Sequence, residues 1–331
     1  MVSKEVRDLV KEKVLSILEK NRLSVVTGGD LARSLGVSRT SVWKAVHALR
    51  DEGYDIQTIS NTGYAYISSN DVLNREFIRK RLNTKILGSE IEILKTTDST
   101  NSYIKRKELN TAKNGLTVIS DGQTGGQGRL GRPFSSASGD GVYMSFLLKP
   151  HIPAENVQFL TICAAVAVCR ALLNVCGVSS QIKWVNDVFC DGKKICGILT
   201  EAVVSAELGS ALHVVVGIGI NTGTIAKELE DIAASVYTVT GKRGYRNDLI
   251  AGVLSEFEAI YIEYTETGNK QGILNEYTDR LFILGRTVMV NRFDSSFEAV
   301  VKGVGDGGEL IVENKSGERI KLQSGEVGIL W

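Results

Sequence analysis

The decapeptide Gly125-Gly126-Gln127-Gly128-Arg129-Leu130-Gly131-Arg132-Pro133-Phe134 decides how this chain is read. Its glycines let backbone approach a ligand closely, and Arg129 and Arg132 offer planar, permanently charged donors to phosphate or carboxylate. The expected ligand is an anion. Gly126, Gly128 and Gly131 also satisfy G-x-G-x-x-G, the spacing of a dinucleotide-binding turn that closes a strand and opens a helix. No helix opens here: Arg132-Pro133-Phe134-Ser135-Ser136-Ala137 has no 3.6-residue apolar period, and Pro133 disfavours helix at the residue before it. The stretch reads as a long ligand loop, against the plainer alternative of a surface loop with incidental arginines.

Outward from the loop, Leu116 to Ser120 and Val142 to Leu148 read as strands that hold it at both ends. Ala154 to Cys176 is apolar on nearly all sides and predicts a buried central helix. Next come Lys183-Trp184-Val185-Asn186-Asp187 and, after the hairpin signal Asp191-Gly192, Gly197-Ile198-Leu199. A lysine among strand residues either snorkels to the surface or neutralises a bound anion. Leu212 to Ile220 is a further core strand, and the glycines Gly217 and Gly219 would let Asn221 approach a base edge. Upstream, Asp98-Ser99-Thr100-Asn101 follows a strand around Ile91 and Ile93. It caps a helix over Ser102 to Glu108, and its free N–H groups and hydroxyls also suit a polar ligand atom.

At the N-terminus, Val6, Val10, Val14, Ile17 and Leu18 mark an amphipathic helix over residues 5 to 20. Thr27 caps Gly28 to Leu35, Gly36 supplies a left-handed turn, and Ser38 caps a third helix to about Arg50. This is a helix-turn-helix pattern (27–46), with Ser38, Arg39, Thr40, Ser41 and Lys44 at the exposed start of the third helix, where base and phosphate contacts are made. Tyr54 to Ile59 and Tyr64 to Ile67, joined by Ser60-Asn61-Thr62-Gly63, add a wing. A helical unit that binds protein, or nothing, is the plainer alternative. Ser68-Ser69-Asn70-Asp71 is a polar junction. Beyond it, Leu73, Phe77, Ile78 and Leu82 mark a helix, Asn247 to Tyr264 a long one and Gln271 to Leu281 a shorter one. After Gly285 the texture changes to short strands (Thr287 to Val290, Phe297 to Val301, Leu310 to Val312, Arg319 to Leu322), which fits a small five-strand barrel packed on its neighbour.

Composition bounds the rest. A chain of 331 residues with net charge +1 and 43% hydrophobic residues is a multidomain globular protein without the overall charge of a general nucleic-acid coat. No signal-peptide pattern and no membrane-spanning run is read, so no membrane partner and a cytoplasmic location are expected. Five cysteines without a C-x-x-C pair and the scattered His47, His151 and His213 predict no metal site.

The helix-turn-helix, the glycine-arginine loop and the Lys-Trp-x-Asn-Asp hairpin together resemble the bifunctional biotin-protein ligases that also repress the biotin operon. The resemblance covers essentially the whole chain and rests on Ser99-Thr100-Asn101, Gln123 to Arg132, and Lys183 to Asp187 followed by Gly197-Ile198-Leu199. It implies an α+β multidomain protein: a winged helix-turn-helix domain (1–67), a central mixed α/β ligase domain like the class II synthetases (71–283) and an SH3-like barrel (284–331). It also implies biotin and ATP as substrates with Mg²⁺, a biotinyl-5'-AMP intermediate, transfer to a lysine of a biotin carboxyl carrier protein, and an adenylate-bound homodimer on operator DNA. By resemblance, biotin lies against Ser99, Thr100, Asn101, Gln123, Gln127, Gly128, Arg129 and Lys183, and the adenylate against Arg129, Arg132, Phe134 and Asn221. Lys183 and Arg129 take the catalytic roles. The chain departs from the family pattern at Gln127 (usually arginine), Val185 (usually proline) and Phe134 (often tryptophan). Losing one guanidinium weakens phosphate contact by about 1.5 to 3 kcal/mol. A biotin-responsive regulator without ligase activity, and a lipoate-protein ligase, are the alternatives.

Overall fold

A computed structural model describes the chain except for residues 1–3, 22–23, 60–61, 67–70, 151, 206, 208, 292–295, 324–325 and 330–331. Two compact units emerge, Met1–Val72 and Leu73–Trp331.

In the first unit, helices α1 (Lys4–Lys20), α2 (Gly28–Leu35) and α3 (Arg39–Asp51) accompany strands β1 (Val25–Val26), β2 (Ile56–Ile59) and β3 (Gly63–Tyr66) in a sheet ordered β1-β3-β2. The helix boundaries follow the caps. The Thr27 hydroxyl accepts from the Asp30 N–H at 3.0 Å, that of Ser38 from the Ser41 N–H at 3.1 Å, and Gly36 ends α2 at φ 66°. Leu31, Val42, Val46 and Leu49 form the buried seam between α2 and α3. Strand β1 is not read from the sequence, because two residues carry no periodicity; its pairing with β3 makes it. The wing residues Ser60-Asn61, Ile67 and the Ser68 to Asn70 part of the junction lie outside the described residues, as does His151.

The second unit starts with α4 (Arg75–Arg81), β4 (Glu90–Thr97), α5 (Thr100–Lys105), β5 (Leu116–Gln123), β6 (Gly141–Leu148), β7 (Ile152–Pro153) and α6 (Val157–Cys176). Strands β8 (Gln181–Lys183), β9 (Asp187–Cys190), β10 (Lys193–Ser205) and β11 (Ser210–Asn221) follow, then α7 (Val236–Thr240), α8 (Arg246–Thr267) and α9 (Gln271–Asp279). The central mixed sheet runs β4-β5-β6-β11-β10-β9-β8, with β7 paired to β11; β4 and β5 are parallel and the other ladders antiparallel.

Period-two alternation divides the sheet's faces by chemistry. Val142, Met144, Phe146, Val214, Val216, Ile218 and Ile220 point to the side packed by α6 and α8 in one large core. On the other side, Leu116, Val118, Leu147 and Val215 lie under Ile104 of α5. Further along that same face β11 changes from Val215 to Gly217 and Gly219, and the sheet is left bare for a ligand.

The helix Ala154–Cys176, counted with its leading 3-10 turn, is by length and composition apolar enough to cross a membrane, contrary to the reading that no such run exists. It is 72% buried in that window, which accounts for its apolarity as a core helix. Last come β12 (Thr287–Asn291), β13 (Ser296–Val304), β14 (Leu310–Asn314), β15 (Arg319–Leu322) and β16 (Glu326–Ile329), in the order β15-β14-β13-β12-β16. This is a small antiparallel sheet without a closing ladder among the described residues. Its Val288, Val290, Val301 and Val312 join the central core.

Candidate functional site

A cavity of about 340 Å³ opens on the bare part of the sheet. Strand register builds its floor: Gly219 of β11, Gly197 of β10, Asp187 of β9 and Lys183 of β8 are successive cross-strand neighbours on one face, with Tyr143 of β6 beside Gly219 at its edge, outside the lining. The paired glycines are needed for the aromatic above them, since a Cβ on Gly219 would stand 2.5 Å from the Phe134 ring and one on Gly197 3.2 Å from it. A Cβ on Gly217 would overlap the Asn101 amide. The glycines of β11 therefore admit Phe134 and Asn101, rather than Asn221 as the sequence suggested.

The glycine-arginine loop is the cavity's roof. It is not a Rossmann turn, because Arg129–Gly131 forms only one 3-10 turn, interrupted by Leu130 at φ 56°. It closes on itself through Gly128 N–H to Arg132 C=O (2.7 Å) and Phe134 N–H to Gly126 C=O (2.9 Å). The Arg129 guanidinium reaches the Asn186 amide oxygen at 3.5 Å, which ties the loop to the Lys-Trp-x-Asn-Asp hairpin. The Asn186 amide in turn donates to the Ile198 carbonyl at 2.8 Å. The Trp184–Val185 peptide is cis.

The start of α5 is the third wall. Ser99 is its N-cap, as the sequence indicates, and the helix ends at Lys105, short of the expected Glu108. Ser99, Thr100 and Asn101 are all buried. The Thr100 N–H donates to Gln123 Oε1 at 2.8 Å, and Gln123 Nε2 donates to Ser136 Oγ at 3.0 Å. Ser145 Oγ lies 2.6 Å from both Thr100 Oγ1 and Asn101 Oδ1, while the Asn101 amide donates to Glu201 Oε2 at 2.8 Å. One hydrogen-bonded chain thus runs from Glu201 through the helix start to the loop, which fixes rotamers and leaves donors and acceptors facing a neutral polar ligand.

The cations converge from two sides. Arg129 and Arg132 come from the loop, and Lys183 and Lys194 from the floor. Among the described residues Lys183 has no hydrogen-bond or carboxylate partner; its ammonium lies 5.9 Å from the Phe189 ring centroid. Lys194 was not read as a site residue. Its ammonium stands 2.8 Å from Asp187 Oδ1, an ion pair by distance although that oxygen, buried, accepts no well-angled hydrogen bond. Strict alternation would send Lys194 to the core face with Cys196. A register shift between Lys194 and Cys196 turns it into the cavity, and nothing local in the sequence announces that shift. Ser136, Ser145 and Glu201 are not announced by the sequence either, since their partners lie elsewhere in the chain: Ser145 meets Thr100 and Asn101 of α5, Glu201 meets Asn101, and Ser136 meets Gln123. Asn291 of β12 completes the lining.

The structure brings together every residue proposed for the ligands save one. Asn221 does not line the cavity: its amide donates to the Ala234 carbonyl at 3.0 Å and the Lys194 carbonyl at 3.4 Å, which anchors the segment after β11. On α3, Ser38, Arg39, Thr40 and Lys44 are exposed and Ser41 half-buried. They share that surface with Trp43, 52% exposed, whose ring packs tilted against that of His47, centroids 4.1 Å apart.

A site of this build, following a helix-turn-helix, invites comparison with known proteins. The Biotin/lipoate A/B protein ligase family model matches residues 93–221, and an HTH domain model matches 10–65. The Bifunctional ligase/repressor BirA of Bacillus spizizenii is 31% identical over 325 residues, 97% of this chain and 99% of that protein. The chain belongs to the bifunctional ligase/repressor family. The Escherichia coli member is 26% identical over 309 residues, 91% of this chain and 94% of its own length. Among solved structures, the biotin protein ligase of Aquifex aeolicus in complex with biotin and ATP is 28% identical at a TM-score of 0.63, covering 73% of this chain and 99% of that one. As a member of that family, the chain is a ligase with a DNA-binding repressor's helix-turn-helix.

Proposed function

We propose that this chain makes biotinyl-5'-AMP from biotin and ATP, passes the biotinyl group to a lysine of a biotin carboxyl carrier protein, and, as an adenylate-bound homodimer, represses biotin genes from operator DNA. The observation that carries this reading is the meeting of Arg129, Lys183 and Lys194 with the Ser99 to Asn101 helix start around one cavity. In the first step a biotin carboxylate oxygen bonds to the α-phosphorus of ATP and the bond to pyrophosphate breaks. In the second the carrier amine bonds to the acyl carbon, AMP leaves with the bridging oxygen and the amine loses a proton to solvent. Both steps crowd negative charge, so positioned cations serve better than a protein nucleophile. Arg129, where the backbone of Gly128 lets the ligand come close, holds the phosphate, Lys183 and Lys194 share the carboxylate and acyl-phosphate oxygens, and Arg132 faces the phosphates. Thr100, Asn101, Gln123, Ser99 and Gln127 address the ureido ring and its chain, and Phe134 gives the adenine an aromatic face.

Among the described residues no group of three or more His, Cys, Asp or Glu side chains is placed to hold a metal. Mg²⁺ accompanies the ATP phosphates. ATP and the carrier make the cytoplasm the place of action. Residues 1–67 act as a winged helix-turn-helix, 71–283 as a ligase domain of class II synthetase type, and 284–331 as an SH3-like barrel whose Asn291 reaches the cavity.

Gln127 favours a second reading, a regulator that binds biotin without labelling a carrier, because a glutamine lines the cavity where the pattern has arginine. A lipoate-protein ligase is disfavoured by the helix-turn-helix. Incubation with biotin, ATP, Mg²⁺ and an apo carrier domain separates these readings. The expected result is a labelled carrier, with Lys183→Ala and Lys194→Ala each lowering kcat/KM by about 100-fold. An unlabelled carrier, or both variants matching the parent, would overturn the proposal.

A further inference from the structure

Arg246, the first residue of α8, is 1% exposed and belongs to no part of the cavity wall. A buried guanidinium is costly and by itself weak evidence for stability; what it fixes is one arrangement of its partners. Here the partners are the exit of the glycine-arginine loop. Arg246 Nε donates to the Gly141 carbonyl at 2.8 Å and Nη1 to Asp121 Oδ1 at 2.8 Å. Asp121 then takes the Ser138 hydroxyl on its other oxygen and, through its carbonyl, the Gly139 N–H at 3.2 Å. The neighbouring Asp140 binds elsewhere: its Oδ1 accepts from Thr224 N–H at 2.7 Å and Oγ1 at 2.8 Å, and its carbonyl from Thr222 and Gly223 N–H. At the loop's entry, by contrast, Thr124 and Gly125 N–H meet only the Thr97 and Asp98 carbonyls. Between these ends the loop closes on itself, and Leu130 at its tip is 78% exposed.

We infer that Arg246 is a positioning residue of the ligand loop: through Asp121 and Ser138 it holds residues 138–141 so that Arg129 and Phe134 are already set over the cavity before the nucleotide arrives. This deepens the ligase reading and rests on it for its kinetic consequence. A loosened exit makes the nucleotide pay for ordering the loop, which raises KM for ATP more than it lowers kcat.

Trypsin reads the loop without any ligand, since the Arg129–Leu130 bond lies at the tip and the Arg132–Pro133 bond resists the enzyme. Arg246→Lys keeps the charge and loses the fork; Asp121→Asn and Ser138→Ala test the same link should the Arg246 variant fold poorly. In the full chain, each variant is expected to speed cleavage after Arg129 by about tenfold while cleavage elsewhere stays as in the parent, and to raise KM for ATP by about tenfold with kcat within about twofold. Unchanged cleavage after Arg129 in all three overturns the inference. So does faster cleavage throughout the chain with kcat falling and KM unchanged, the mark of general destabilisation. If the parent fails to label a carrier, the ligase reading falls, and the cleavage pattern alone decides the role of Arg246.

Discussion

Gly219 shows how much of the site depends on missing atoms. A methyl group there meets the Phe134 ring, so Gly219→Ala should displace the aromatic face from the adenine and raise KM for ATP by about tenfold, with biotin affinity retained; titration of each ligand by calorimetry separates the two. Gln127→Arg should act in the opposite sense, slowing loss of the adenylate by about tenfold through one more charged hydrogen bond; the off-rate of radiolabelled adenylate measures it. Asp121 responds to acid. Burial raises its carboxyl, yet the Ser138 hydroxyl and the Arg246 guanidinium outweigh burial and hold it below its ordinary 3.8. A carboxyl depressed in the folded state contributes stability that is complete above 3.8 and is lost as pH falls through the lower folded value. Thermal melts between pH 5 and about 3 should therefore fall more steeply for the parent than for Asp121→Asn; parallel curves would contradict this pairing.

Among the elements, α3 carries the DNA-facing prediction. Arg39→Ala and Lys44→Ala should weaken operator binding and flatten its salt dependence, each by about one counterion, with carrier labelling intact. Trp43 belongs to the same test. An exposed tryptophan packed against His47 beside these cations suits a base edge or a thymine methyl, so Trp43→Ala should lower specific more than non-specific affinity in a gel-shift series. The elements themselves were legible wherever the chemistry is local. Thr27, Ser38 and Ser99 announce their helices by capping, and Asp191-Gly192 its hairpin, with φ 49° and 75° at the turn. What escaped needed distant partners: the two-residue β1, the bulge that turns Lys194 into the cavity, and the Ser145 hydroxyl that joins α5 to β6. Asn221 misled for a related reason. Its neighbouring glycines promised room for it, and side chains from α5 and the loop took that room.

At the scale of the whole molecule, one chain holds a helix-turn-helix in Met1–Val72 and a ligand cavity in Leu73–Trp331. The order of these parts is readable because each announces itself by periodicity and glycine placement, and the packing of the small C-terminal sheet on its neighbour follows from its size; which valines join the central core is set by long-range packing. Central to the proposed function is that the cavity makes and keeps biotinyl-5'-AMP. The direct measurement is mass spectrometry of the ligand retained by the protein after incubation with biotin, ATP and Mg²⁺ and removal of free ligand. Biotinyl-5'-AMP is predicted on the parent, and markedly less on Arg129→Ala. Recovery of unreacted biotin alone, or of no ligand at all, would contradict the account.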